Sequence, residues 1–586
     1  MLGAKRWKVL QPDAEIEESF ARSIPVSGIL SRVLWNRGIR TPEAAQRFLN
    51  PAMDDLHDPG LFDGMDIAVD RAKRAIESGE KIMIHGDYDV DGITSTALLV
   101  RVLTAIGADV SWYVPHRQRE GYDIQCPAVD TARERGVGLI ITADCGTSAI
   151  DAADLARSYG IDMIVTDHHE PAGTRVADVL ALINARKPGC PYPFKDLAGV
   201  GVAFKFAEAL VRECGYDVNA YRRRFIDLVA IGTVADVVPL MDENRILVKH
   251  GLEEIPRTGK RGIRALLEQS GLAGRRLTSQ NLAFVLGPRL NAAGRLDDAS
   301  TAVELLLTKD ESEAARLART LESCNRERQA EQSRILQEAL DQIKTRRLDE
   351  VSKVFVLSST GWHPGIVGVV AGKITETYSR PTVMIALDET GECGVGSARS
   401  IEGFDVLEAL VECGDLLDRF GGHSKAAGLS ISTCNLGEFD CAINRVADGV
   451  LAQCDLAPHI EIDAEIGLDA VTRDLIAELG LLEPYGHCNR EPVFASMNAP
   501  VLHKTTMGST SAHMKLKLGT PSGRAIDCVA FGWGAAERSI RLGSSLDVCY
   551  NTRINEYNGY RNIQIVLRDA RVSEDRMGDV LPSEYA

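Results

Sequence analysis

The chain lacks the features that would send it to a membrane, an oxidising compartment or the surface of duplex DNA. None of its 13 cysteines is arranged as C-x-x-C, so neither a structural zinc nor a disulfide framework is expected, and scattered thiols suit a reducing compartment. No run approaches the ~18 apolar residues of a membrane span. The opening stretch MLGAKRWKVLQPDAEIEESF holds no apolar segment of signal-peptide length. Positive charge is not in surplus: 66 basic against 83 acidic residues leave a net charge of −17. That balance argues against coating duplex DNA by charge alone, but not against a local basic channel. Internal repeats and low-complexity tracts are missing as well. The expectation is a cytoplasmic, monomeric protein with no membrane partner.

The remainder is ordinary globular material. The 586 residues are 45% hydrophobic and 25% charged, enough for three or four domains at roughly 100–200 residues each. From residue 71 to 184, apolar runs at 81–85, 139–142, 163–166 and 179–184 alternate with helical patterns such as 94–106 and 150–159. This alternation predicts an α/β fold with a parallel, doubly wound sheet, whose ligands gather beyond the carboxyl ends of the strands. Helical patterns continue at 201–210, 223–231 and 263–268. Residues 311–348 contain no Gly or Pro and keep Ala314, Leu317, Leu321 and Cys324, then Ile335, Ala339 and Ile343, at helical spacing. They predict one long, mostly polar helix that bridges domains. A second α/β unit follows, with strands at 354–357 and 382–385 and a helix at 366–378. From residue 460, short strand candidates at 513–518, 525–531, 546–550 and 562–567, separated by turns, predict a small barrel or sandwich. The expected domains are 1–310, 311–350 for the connecting helix, 351–450 and 455–575.

Four groups carry the chemistry. His85-Gly86-Asp87-Tyr88-Asp89-Val90-Asp91-Gly92 follows a predicted strand and opens a helix. Its aspartate spacing suggests an EF-hand, but Leu98 stands where that loop needs a glutamate. Asp144 ends the next strand, Asp167-His168-His169 ends the one after, and Asp236 lies in Gly232-Thr233-Val234-Ala235-Asp236. Singly, each reads as a cap, a turn or a satisfied core residue. Together at one sheet edge, carboxylates and imidazoles would repel unless cations sat between them. Mixed oxygen and imidazole donors suit Mn²⁺ or Mg²⁺, and two such ions would activate water and steady a phosphoryl oxyanion.

In this order the motifs DYDVDG, TADCG, DHH and GTVADVVPL resemble the DHH phosphoesterase superfamily. Gly287-Pro288-Arg289-Leu290-Asn291-Ala292-Ala293-Gly294-Arg295, Gly361-Trp362-His363-Pro364-Gly365-Ile366-Val367-Gly368 and Gly396-Ser397-Ala398-Arg399-Ser400 narrow the resemblance to its RecJ-type exonucleases. Gly421-Gly422-His423 is similar to the signature of the associated DHHA1 domain. The resemblance implies a DHH domain, a DHHA1 domain and a C-terminal OB-fold. It implies a single-strand-specific 5′→3′ DNA exonuclease of repair and recombination that releases 5′-mononucleotides with two divalent cations, Mn²⁺ or Mg²⁺. Carried over by position, Asp87, Asp89, Asp144, His168 and Asp236 would ligate the ions, with Asp144 bridging and His85 completing one shell. His169 would face the scissile phosphate, and Asp167 would orient the two histidines. Arg289, Asn291 and Arg295 would hold the DNA backbone, and Ser397, Arg399, Gly421, Gly422 and His423 the 5′ end. A single-strand-binding protein and a RecQ-type helicase are the implied partners. Two departures stand out: Gly121-Tyr122-Asp123 where a second glycine is expected, and Gly486-His487-Cys488-Asn489-Arg490 in place of a stretch richer in Gly and Pro. Two other functions compete. A phosphoesterase for short oligonucleotides or cyclic dinucleotides shares the DHH motifs but needs no long helix or β-rich tail. A non-catalytic replication factor would have lost ligands that are all present here.

Overall fold

We describe the chain from a computed structural model over residues 5–11, 20–117, 119–171, 175–296, 298–452, 456, 458–508, 510–557 and 560–573. Its contacts divide it into two units, Pro51–Leu456 with Pro484–Asn489, and Met1–Asn50 with Ala457–Glu483 and Arg490–Ala586.

The larger unit opens with five parallel strands, β1 (Ile82–Gly86), β2 (Val110–Tyr113), β3 (Leu139–Ala143), β4 (Asp162–Thr166) and β5 (Ala181–Ile183), in the order β2-β1-β3-β4-β5. Every residue of β1 and β3 is buried, as expected of central strands covered on both faces. The half-buried edge strand β2 is too short and too weakly apolar to announce itself in the sequence. Helices α1 (Val90–Ala105), α2 (Gly199–Glu213) and α3 (Val218–Ala235) build the core over this sheet. A π-helical turn, Leu282–Leu286, leads into α4 (Gly287–Leu296).

The long helix is present as α5 (Glu311–Arg346), capped at its start by the Asp310 side chain and ended by Arg347 in the left-handed region (φ 53°). Its first half buries Ala314, Leu317 and Leu321 against the core of the parallel sheet. Its second half buries Ile335, Ala339 and Ile343 against the next domain. That domain is a five-stranded mixed sheet of β6 (Phe355–Thr360), β7 (Thr382–Leu387), β8 (Cys393–Arg399), β9 (Arg419–His423) and β10 (Ala426–Ser432), in the order β9-β10-β8-β7-β6, with helix α6 (Pro364–Tyr378) packed on it. Only β6 and β7 run parallel. The glycine-rich stretches 393–399 and 419–432 hide the three antiparallel strands from a propensity reading.

In the smaller unit β11 (Phe494–Met507), β12 (His513–Gly519), β13 (Ala525–Ala530), β14 (Ser545–Tyr557) and β15 (Tyr560–Val572) form a closed barrel. The order is β11-β12-β13-β15-β14, and β11 pairs back onto β14. Strand β11 contains Pro500, and its register slips at Ser496/Ala499 and at Val501/His503. A bulged strand tolerates a residue without an N–H, which is why the sequence pattern missed it. The N-terminal segment was expected with the parallel sheet, and here the structure differs. Strand Arg6–Val9 pairs with His459–Ile462, and Arg37 forms a buried ion pair with Asp463 at 2.9 Å. Pairing across some four hundred residues leaves no local signal. Among the described residues no helix is long and apolar enough to cross a membrane.

Candidate metal centre and substrate-facing groups

The parallel register aligns Gly86, Ala143 and Thr166 across β1, β3 and β4. The next residue on each strand is Asp87, Asp144 and Asp167, so three aspartates leave the sheet in one row. The ladder continues through them: the Asp87 amide donates to the Ala143 carbonyl at 3.2 Å and the Asp144 amide to Thr166 at 2.9 Å. Asp144 sits at φ +66°, a conformation that a short polar side chain adopts more readily than most. Asp89 caps α1, accepting from the Asp91 and Gly92 amides. Asp236 corrects the expectation of four groups on one sheet edge. It is the C-terminal cap of α3 and reaches the row from a helix end, with Oδ2 3.6 Å from Nε2 of His168.

Ligand atoms converge in three overlapping groups, Asp87–Asp89–Asp144, Asp144–His168–His169 and Asp91–His168–Asp236, each within 4.8 Å. Oδ1 of Asp87, Oδ1 of Asp144, Nε2 of His85 and Nε2 of His168 are buried and without a hydrogen-bond partner. Burial and neighbouring carboxylates push Asp87, Asp144 and Asp236 well above the usual carboxylate range. Burial lowers His85 to about 4 and His168 to about 3. Deprotonated imidazoles and crowded carboxylates with unused lone pairs form the donor set of hard divalent cations, so the residues fit the expected ions. Asp144 belongs to two of the groups, as a bridging ligand must. His85 is turned inward, stacked on Tyr113 with ring centroids 5.5 Å apart, and its Nδ1 lies 3.5 Å from the Cys145 sulfur.

Asp167 does not point into the cluster. It accepts from the amides of Thr147, His168 and His169, and Oδ1 lies 2.8 Å from Nδ1 of His169. Burial works against charge on both side chains, yet the pair holds Asp167 below its ordinary range and raises His169 to about 9. Asn184, unremarked in the sequence, donates to the His169 carbonyl and to Thr147 Oγ1, both at 2.9 Å.

A second constellation is cationic. Arg399, Ala426 and His423 align across β8, β10 and β9, as do Ser397, Gly428 and Gly421 two residues away. The Arg399 guanidinium donates to Ser397 Oγ at 2.8 Å. Gly422 adopts φ +146°, and a Cβ there would strike the Ala426 carbonyl at 2.4 Å, so only glycine fits. From the other domain, Arg295 donates to the Gly365 carbonyl at 3.1 Å. Burial and the nearby Arg117 and Arg328 lower it to about 10. Among the described residues Arg328 on α5 donates to the neutral Gln332 and Asn325 side chains, and its Nε is buried without a partner. Arg117 lies over the Tyr88 ring at 4.9 Å. Burial and Arg117 lower Arg399, and His423 lies within electrostatic range of both Arg399 and His169. Among the described residues none of these four arginines is ion-paired, so together they present positive charge that no carboxylate there neutralises. Sequence reading had missed Arg117 and Arg328, whose only signal was a basic residue in a polar stretch. Arg289 stands apart: it is committed to an ion pair with Glu322 of α5 at 2.7 Å. Oδ1 of Asn291 is buried without a partner.

Family profiles match three segments, "DHH family, N-terminal domain" at residues 81–233, "DHHA1 domain" at 351–449 and "RecJ OB domain" at 462–569. The single-stranded-DNA-specific exonuclease RecJ of Bacillus subtilis is 39% identical over 581 residues, 99% of this chain and 72% of that protein. RecJ of Escherichia coli is 34% identical over 94% of this chain and 97% of its own length. The chain belongs to the RecJ family. Its structure overlays that of Thermus thermophilus RecJ in complex with Mn²⁺ with a TM-score of 0.83 at 30% identity, covering 99% of this chain and 82% of that one. A shorter exonuclease RecJ bound to manganese aligns over 98% of its length and 67% of this chain, with a TM-score of 0.59 at 35% identity.

The two departures from the RecJ pattern have structural accounts. Asp123 takes φ +73°, the conformation a glycine would supply, and its carboxylate accepts from the Ile124 amide at 2.8 Å. Burial raises it to about 6. Residues 484–489 group with the larger unit and not with the barrel. They form a tight turn with Cys488 at φ +60°, tied down where the Leu240 amide donates to the His487 carbonyl at 2.9 Å.

Proposed function

We propose that the chain is a single-strand-specific DNA exonuclease that removes 5′-mononucleotides stepwise from the 5′ end. The observation that carries this reading is the pairing of two unlike sites in one unit, a cluster of unpartnered ligand atoms and an arginine cluster, including Arg399, that has no ion pair among the described residues. A metal cluster alone cannot choose an end, because internal phosphates look alike to it. Groups beyond the metals must supply the choice.

Asp87, Asp89, Asp144, His168 and Asp236 would hold the two divalent ions, and His85 would add a further donor. When bound, the ions acidify water and neutralise charge on the reacting phosphate. His169, charged through its bond to Asp167 and partly exposed, donates to a phosphate oxygen as negative charge builds there. Asp167 keeps that imidazole charged and oriented. Arg399, Ser397 and His423 take the terminal 5′ phosphate, with Gly421 and Gly422 leaving backbone within reach. Arg295, Asn291, Arg117 and Arg328 receive the following phosphates, and Arg289 chiefly anchors α4 to α5. The barrel adds a groove for the trailing strand. The protein works as a cytoplasmic monomer in repair and recombination, where a RecQ-type helicase and a single-strand-binding protein present the strands.

The test is digestion of 5′- and 3′-labelled single strands, circular single strands, duplex, RNA and dinucleotides with Mn²⁺ or Mg²⁺. Label should leave the 5′ end first. Equal cutting of circles and linear strands, or release from the 3′ end, would overturn the end-anchoring account.

A further inference from the structure

Helix α6 carries Gly365, Gly368 and Gly372, although glycine weakens a helix interior. A Cβ on Gly372 would have open space around it. The other two lie one turn apart at the start of the helix, and each sits against a different arginine.

Two bonds tie this helix start to α5. The Trp362 indole donates to Glu338 Oε2 at 2.7 Å, and Arg334 donates to the Gly361 carbonyl at 2.7 Å. The His363 side chain caps α6 by accepting the Gly365 amide at 3.1 Å. Gly365 packs on α4. Its carbonyl accepts from Arg295 at 3.1 Å, and a Cβ on it would lie 2.5 Å from the Arg295 carbonyl oxygen. Gly368 packs on β8. A Cβ there would lie 2.8 Å from Ser397 Oγ and 3.0 Å from Nη2 of Arg399. These nearest atoms belong to side chains and not to backbone, so an added methyl would push the Ser397 hydroxyl and the guanidinium aside while the sheet stays in place. Arg295 and Arg399 also lie within electrostatic range of each other, and like charges repel until an anion stands between them.

We propose that Gly368 is a positioning residue: it lets Ser397 and Arg399 close against the start of α6, which also holds Arg295, and so sets the spacing between the group for the terminal 5′ phosphate and a group for a following phosphate. It acts through the Ser397–Arg399 pair, bonded at 2.8 Å. A helix start anchored to α5 is a stiff spacer, and a fixed distance between two phosphate-holding groups is what orients a strand end for reaction. The inference rests on the end-anchoring reading above.

The experiment measures kcat and KM of the full chain on 5′-phosphorylated and 5′-hydroxyl single strands, with thermal melts and Mn²⁺ titrations alongside. The proteins compared are wild type, Gly368→Ala, Gly372→Ala, Ser397→Ala and the double variant Gly368→Ala/Ser397→Ala. Gly368→Ala should lower kcat/KM on phosphorylated strands by about tenfold to a hundredfold, chiefly as a higher KM. It should change digestion of hydroxyl strands little and leave Mn²⁺ affinity as in wild type. Gly372→Ala adds the same methyl to the same helix and should digest both strands as wild type does. The double variant should lose less than the two single losses combined, because both act on one guanidinium. Wild-type behaviour of Gly368→Ala, an equal loss on both strands or strict additivity would each overturn the proposal. Loss of cooperative melting in Gly368→Ala would overturn it too, because the glycine would then serve packing. Wild-type protein that digests both strands equally well would bring down the end-anchoring reading, and the inference with it.

Discussion

Nε2 of His168 stands 3.2 Å from Oδ1 of Asp144, and neither atom is hydrogen-bonded. Two buried polar atoms this close would ordinarily bond or separate, because leaving each unsatisfied costs about 1–3 kcal/mol. The imidazole is neutral, and the carboxylate is crowded by Asp87, Asp89, Asp91 and Asp236. A cation bonded to both would remove the cost.

Chelation should therefore abolish hydrolysis, and Mn²⁺ or Mg²⁺ should restore it. Binding should also stabilise the fold, by ~2.7 kcal/mol at a free ion concentration a hundred times Kd. Thermal melts with and without Mn²⁺ measure this. Full activity in excess EDTA would rule the metal centre out.

Asp144→Asn should lose more activity than the same change at Asp87 or Asp236, because Asp144 takes part in two of the ligand groups. Asparagine keeps the tolerance for φ +66°, whereas alanine adds a strain of about 1–2 kcal/mol. Single-turnover rates for the three variants give the order.

Arg399→Ala should slow cleavage of 5′-phosphorylated single strands by one to two decades, for a loss of ~1.5–3 kcal/mol. Metal affinity should not change, since Arg399 touches Ser397 and the Ala398 carbonyl and no ligand. A similar loss on strands lacking the 5′ phosphate would remove Arg399 from the end-binding role.

Removing the barrel means removing residues 1–50 with it, because Arg6–Val9 pairs with His459–Ile462. A fragment of residues 51–456 should hydrolyse very short oligonucleotides at nearly the full rate. It should bind long single strands at least about tenfold more weakly, the worth of one lost stacking contact. Equal loss on both substrates, with the fold intact, would assign the barrel to catalysis or stability.

Arg289→Ala should act first on stability. Its ion pair with Glu322 is largely buried, and removing one partner of such a pair costs about 1–3 kcal/mol after allowance for residual exposure. Glu322→Ala should cost a similar amount, and the double variant less than the sum. Strict additivity in urea unfolding would mean that the pair is not coupled.

Much of this protein could be read from the chain alone. The alternation of apolar runs and helices marked four of the five parallel strands, because strands buried on both faces must be continuously apolar. A tract free of Gly and Pro with seven apolar positions at helical spacing marked α5. The acidic and histidine motifs named donors that the fold brings together, since aspartates placed just after parallel strands end at one edge. The tertiary structure decided what depends on distant partners. It placed residues 1–50 with the barrel through a strand pairing, and it brought Asp236 to the metal row on a helix end. It also sorted chemically identical side chains into different roles. Asp87 and Asp91 lie four residues apart in one motif, but one keeps a bare oxygen in the cluster while each oxygen of the other accepts an amide of a helix that begins more than a hundred residues later. Arg289 and Arg295 share a motif as well, yet one meets Glu322 and the other faces Arg117 and Arg328. Residue type and spacing fix which chemistry is available. Whether a carboxylate or a guanidinium is free to use it is settled by the charges and donors that folding places around it.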